Sequence, residues 1–141
     1  MVYADYSYYV DNFFGEAVEE TDFPKYAAKA SAFLDYYTRG KAKANADLDA
    51  VKTACCALAE QYHIIELANK AAIKGMGSDS DKASETVGSY SVSYRGGGEI
   101  ATASMQAKQA ANAELVKLAQ FYLADTGLLY RGGCSCTRHT R

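Results

Sequence analysis

Residues 48–65, LDAVKTACCALAEQYHII, decide the fold. Leu48, Val51, Cys55, Leu58, Tyr62 and Ile65 recur three and four apart. At 3.6 residues per turn that spacing puts them on one side of a helix about five turns long. Asp47 precedes the stripe as the predicted cap, Asp49 opens it, and Lys70 and Lys74 follow it, an order of charge that complements a helix dipole. Gly75 and Gly77 mark the stop. A helix with one apolar side must bury that side on neighbours, so the rest of the chain is read for helices able to cover it.

Upstream, Asp22 followed by Pro24 marks a helix start, a capping carboxylate with proline in the first turn. Tyr26, Ala30, Phe33 and Tyr37 then define one face, and Thr38-Arg39-Gly40 ends it. Lys41 to Ala46 reads as a polar link. Tyr3 to Phe14 reads as a short aromatic helix or turn closed by Gly15, and Glu16 to Asp22 as an acidic connection. Downstream, Glu99 opens the last long helix, with Ala111, Leu115, Leu118 and Tyr122 facing inward. Its first half carries mostly small side chains, among them Ala101, Ala103, Ala107 and Ala110, which lets another helix approach closely within the subunit or from a neighbour. Asp125-Thr126-Gly127 ends this helix, and Leu128 to Arg131 is a second extended candidate.

Between the last two long helices lies SETVGSYSVSYRGGG, residues 84–98. Tyr90, Val92 and Tyr94 alternate with Ser89, Ser91 and Ser93, the period of a strand bounded by glycines. A lone strand leaves backbone N–H and C=O groups unpaired and so needs a hairpin mate, a second segment or another subunit. The expected fold is mostly α: three main helices plus a short N-terminal helix, a minor strand or hairpin element, and an extended C-terminal tail. One domain spans 1–132, and 133–141 is expected to be a flexible tail.

The chain has 141 residues, enough for one domain, and a net charge of −2, which argues against a general electrostatic grip on nucleic acid. Twelve tyrosines with no tryptophan suit either a tyrosine-rich core and rim or surfaces buried in contacts. No apolar run is long enough to span a membrane. The opening MVYADYSYYV lacks the basic head and apolar body of a secretion signal, so the chain is expected to be made and kept in a cytoplasm, its four cysteines reduced.

Little in the sequence supports an enzyme. Cys134, Cys136 and His139 form a C-x-C-x-x-H cluster, short of the four ligands of a structural zinc site. Cys55 and Cys56 are neighbours on a helix, so their side chains diverge by about 100° and do not bridge. Cys55 reads as a core residue, and His63 lies two turns away. Gly75-Met76-Gly77-Ser78 follows a helix, and Gly96-Gly97-Gly98-Glu99 lacks the lysine and hydroxyl of a phosphate loop. Paired acids such as Glu19-Glu20 sit in solvated runs without apolar shielding. Arg39, Lys41 and Lys43, and Arg131, Arg138 and Arg141, are two modest basic groups that suit solubility, an acidic partner or a phosphate backbone.

Three pieces taken in order carry a resemblance. They are ASAFLDYYT at 30–38, SETVGSYSVSY at 84–94 and TGLLYRG at 126–132; the opening Tyr-Ala-Asp-Tyr also fits. Together the chain, from about Tyr3 to Gly132, resembles the head–tail connector (adaptor) proteins of long-tailed bacteriophages. The resemblance implies a non-enzymatic virion protein, made in the host cytoplasm and placed at the head–tail junction. It implies a homo-oligomeric ring, expected to be dodecameric in the virion, that binds the portal and extends the DNA channel. Double-stranded DNA would pass through without sequence-specific binding, and a stopper or tail-side neck protein would attach next. No cofactor, metal or membrane is implied. Carried over, Leu128, Leu129, Tyr130 and Arg131 are the portal-docking candidates. Val87, Tyr90, Val92 and Tyr94 are the candidates for inter-subunit or stopper contacts. Residues beyond Gly132 depart from the family pattern. The rival readings are a cytoplasmic helical partner-binding or regulatory module, favoured by a stable dimer with one target, and a thiol or metal enzyme using Cys134, Cys136 and His139.

Overall fold

The computed structural model describes residues 1–77 and 97–130. Within them lie α1 (Tyr6–Asp11), α2 (Phe23–Tyr37), α3 (Lys41–Ala44), α4 (Asp49–Gly77) and α5 (Gly97–Leu123), with a 3₁₀ turn at Ala124–Thr126. The architecture is mostly helical, as expected. Residues 84–96 of the strand-like segment 84–98 and the tail after Tyr130 lie outside the described residues, and Gly97 and Gly98, expected to close that segment, belong to α5.

The centre is α4. Val51, Ala54, Cys55 and Leu58 are fully buried, as the stripe requires, but so are Cys56 and Ala59 on its other sides. Helix α4 is enclosed by α2, α5 and α1, and this explains the six-residue apolar run from Ala54 to Ala59: each face has something to cover it. Leu48 departs from the expectation. It is 40% exposed because the helix begins after it, with the Lys52 N–H donating to its carbonyl at 3.2 Å. Asp47 therefore lies two residues before α4.

Helix α2 starts beside Asp22 with Pro24 in its first turn, although the Asp22 side chain makes no capping bond. The carbonyl of Glu19 accepts from Phe23 N–H there instead, at 2.9 Å. The buried face runs through Tyr26, Ala27, Ala30, Ser31 and Leu34. Phe33 and Tyr37, predicted inward, stand half-buried at its edge with their rings stacked at 5.7 Å. The face is turned because Tyr3 and Ala4 lie buried along α2, and the Ser31 hydroxyl accepts from Tyr3 N–H at 3.1 Å. No side-chain periodicity within α2 encodes that partner.

The link expected at 41–46 contains one helical turn, α3. Arg39 and Gly40 both take left-handed backbone, at φ 55° and 81°, which reverses the chain after α2. Thr38 Oγ1 donates to Leu34 C=O at 2.7 Å and accepts from Ala42 N–H at 3.0 Å. Thr38 and Ala42 are both buried, so the corner is a packed joint.

At the N-terminus, Asp5 caps α1 by accepting from Tyr8 N–H at 2.9 Å. Tyr9 is wholly buried, stacked on Phe23 at 4.7 Å, and its hydroxyl donates to Glu60 while accepting from Ala17 and Val18 N–H. Gly15 lies under that ring, where a Cβ would overlap Cε2 and Cζ of Tyr9.

Helix α5 begins at Gly97, two residues ahead of Glu99. Leu115, Ala119 and Leu123 form its buried line, with Leu118 and Tyr122 flanking it and Ala111 half-buried. Leu128 to Tyr130 is a turn, not an extended segment. Tyr130 N–H donates to Gly127 C=O at 3.1 Å, and Gly127 supplies the left-handed φ of 72° that ends the 3₁₀ turn.

Candidate functional site

The C-terminal turn is built onto the joint between α2 and α3. Thr126 Oγ1 donates to Leu123 C=O at 2.7 Å and accepts from Leu128 N–H at 3.2 Å, which fixes the turn's root. Leu128 is inserted into the core, Leu129 is half-buried against it, and Tyr130 is 59% exposed. The Lys41 ammonium donates to Tyr130 C=O and lies 5.9 Å from the Tyr130 ring. A small cleft of about 180 Å³ separates the turn from Tyr37, Thr38 and Arg39. Of the four docking candidates, three are thus brought together on one corner, with Tyr130 outermost. Arg131 lies outside the described residues, as do Val87, Tyr90, Val92 and Tyr94.

A second surface comes from helix length. Every residue from 67 to 73 of α4 and from 105 to 110 of α5 is exposed, so both helices run past the core. Leu67, Ile73 and Met105 are 51%, 70% and 60% exposed there, beside Ile64 at 53%. The small side chains of α5 expected to receive another helix, Ala107 and Ala110 among them, are uncovered in the single chain.

Where α4 leaves the core, Glu66 gathers three lysines: Lys25 at 2.6 Å, Lys70 at 3.1 Å and Lys29 at 3.5 Å. Hydrogen bonds from Lys25 and then Lys70 hold the Glu66 carboxyl down to about 2. Lys25 also lies 4.7 Å from the centre of the Tyr26 ring, which meets His63 edge-on at 5.1 Å. This cluster clamps α2 to α4. His63 is packed on Tyr26, and among the described residues its buried Nδ1 has no hydrogen-bond partner.

Among the described residues no base is hydrogen-bonded to either cysteine inside the bundle. Cys55 Sγ meets Ser31 Oγ at 3.4 Å and Ala27 C=O at 3.6 Å, and burial raises its thiol. Burial pushes Cys56 up to about 12. Thiols held protonated in this way are poor nucleophiles. Among the described residues no three His, Cys, Asp or Glu side chains assemble as a metal cage. Cys134, Cys136 and His139 are outside those residues. No helix among the described residues is long and apolar enough to cross a membrane.

One feature escaped the sequence reading. A groove of about 610 Å³ opens between the N-terminal segment, α1 and the start of α2, lined by Tyr6, Tyr8, Phe23 and Pro24 with Asp5 and Asp11, and Lys52 at its side. The available signal was a charge asymmetry: residues 1–24 contain Asp5, Asp11, Glu16, Glu19, Glu20 and Asp22 and no lysine, arginine or histidine. All six are exposed.

Comparison of the chain with protein-family models, curated proteins and solved structures finds no match.

Proposed function

We propose that the chain is the subunit of a ring-forming head–tail adaptor, a non-enzymatic structural protein of a virion neck. The observation that carries this reading is the projection of α4 and α5 beyond the core with Leu67, Ile73 and Met105 uncovered. Two helices that outrun their own core gain burial when a neighbouring subunit packs against them. A closed ring requires two different complementary patches on each subunit. The projecting helices supply one, and the anchored C-terminal corner gives a second exposed feature on another part of the fold.

In this reading Leu128 and Leu129 seat the corner, and Tyr130 and Arg131 meet the portal. Val87, Tyr90, Val92 and Tyr94 contact a neighbouring subunit or the stopper protein. The ring encloses double-stranded DNA without reading its sequence and presents its far side to the next neck or tail protein.

The test is the mass of the purified protein in solution, alone and with portal protein. The expected result is a ring, formed alone or on the portal. A strict monomer that never engages portal overturns the proposal. In an infection, deletion of residues 128–141 is expected to leave filled heads without tails, and tailed infectious particles from that variant overturn the docking role.

A further inference from the structure

The groove at the N-terminus matches in chemistry a segment of the same chain. Its walls pair aromatic faces with carboxylates, the combination that suits a guanidinium, which stacks on rings and accepts bidentate pairing. Asp5 is committed to capping α1, and Lys52 sits 5.6 Å from the Tyr8 ring beside it. Asp11 and Tyr6 also line the groove. Among the described residues Asp11 has no ion pair, and the Tyr6 ring meets the Tyr9 and Phe23 rings at 5.8 Å. At about 610 Å³ the groove is open to solvent and has room for an arginine side chain.

Residues 131–141, RGGCSCTRHTR, carry three arginines and no acid. We infer that this tail docks back onto its own subunit, placing Arg138 or Arg141 in the groove against Tyr6 and Asp11. The tail leaves from Tyr130, pinned by Lys41 at the C-terminal end of α2, while Phe23 and Pro24 place the groove toward the other end of that helix. Fifteen residues of helix span roughly 22 Å. The eight residues from Tyr130 to Arg138 extend to about 26 Å, so the link is long enough for Arg138 or Arg141 to reach the groove. Tethering favours the chain's own tail over a second copy, because a short link holds the arginines at an effective concentration in the millimolar range. The acidic first 24 residues attract the same segment from every approach. This inference does not depend on the adaptor reading: a monomer tests it equally well.

The test uses the full chain and follows the backbone amide signals of Tyr6, Tyr8 and Asp11 by nuclear magnetic resonance. Arg138→Glu with Arg141→Glu is expected to shift those signals, and 0.5 M salt to shift the parent's in the same direction. Asp11→Arg is expected to produce the released state of the tail signals. Combining Asp11→Arg with Arg138→Glu and Arg141→Glu is expected to restore contact, which separates charge pairing from a local fold change. Groove signals indifferent to the tail substitutions overturn the inference. Shifts that appear only as protein concentration rises also overturn it, because they assign the tail to a second copy.

Discussion

Tyr9 and Gly15 show how one contact fixes the N-terminal segment. The Tyr9 ring fills the core, its hydroxyl holds Ala17, Val18 and Glu60, and Gly15 leaves the space the ring needs. Tyr9→Phe strands the Val18 N–H and is expected to cost about 1–3 kcal/mol in denaturant unfolding. Gly15→Ala is expected to cost about the same, because a buried ring stacked on Phe23 cannot swing aside. Glu66 contributes to the acid limb. Its carboxyl is depressed to about 2 in the folded state, so the contribution is complete above the ordinary glutamate range near 4.5 and is lost as pH falls toward 2. Thermal melts between pH 6 and pH 2 should show a steep decline in the parent and a flatter one in Glu66→Gln. Cys56 acts at the other end. Its thiol is raised from 9.0 to about 12, so the folded state keeps a proton that the unfolded chain releases, and stability falls as pH rises from about 9 toward 12. Cys55 and Cys56 should resist alkylation in the native protein and label only on unfolding, read by peptide mass. The inward place of Cys55 was legible in its spacing; that of Cys56 was not, since a single stripe predicts a single buried side.

The long helices were legible because burial imposes a period on sequence, and α4 carried its period through five turns. What escaped was whatever depends on another element. Ser31 is buried where an N-terminal strap bonds to α2, and Ala119 and Leu123 are buried on the helix that packs on α4. The turn α3 was hidden in KAKANA, a composition that suits a solvated link, and is held by Thr38 and two left-handed residues. Gly40→Ala forces a Cβ into φ 81° and is expected to lower stability by about 1 kcal/mol, although open space surrounds the site. The projecting part of α4 yields the opposite signature. Leu67→Asp with Ile73→Asp should leave the melting transition nearly unchanged, within about 0.5 kcal/mol per site, because both side chains are already in water. The same pair should abolish ring formation in a mass measurement. Loss of stability together with unchanged assembly contradicts the role assigned to these helices.

For the whole molecule, the sequence indicated a mostly helical chain, and the described helices agree with it. The surfaces were less legible, since exposure is a property of what fails to cover a residue. Leu128 and Tyr130 belong to one short motif, yet the structure sends the first into the core and leaves the second outside. Both ends of the described chain are fastened to the second half of α2 or the joint that follows it: Tyr3 by Ser31 and Asp35, Tyr130 by Lys41. A mechanical pull applied across those two ends is therefore carried in part by the short stretch from Ser31 to Lys41.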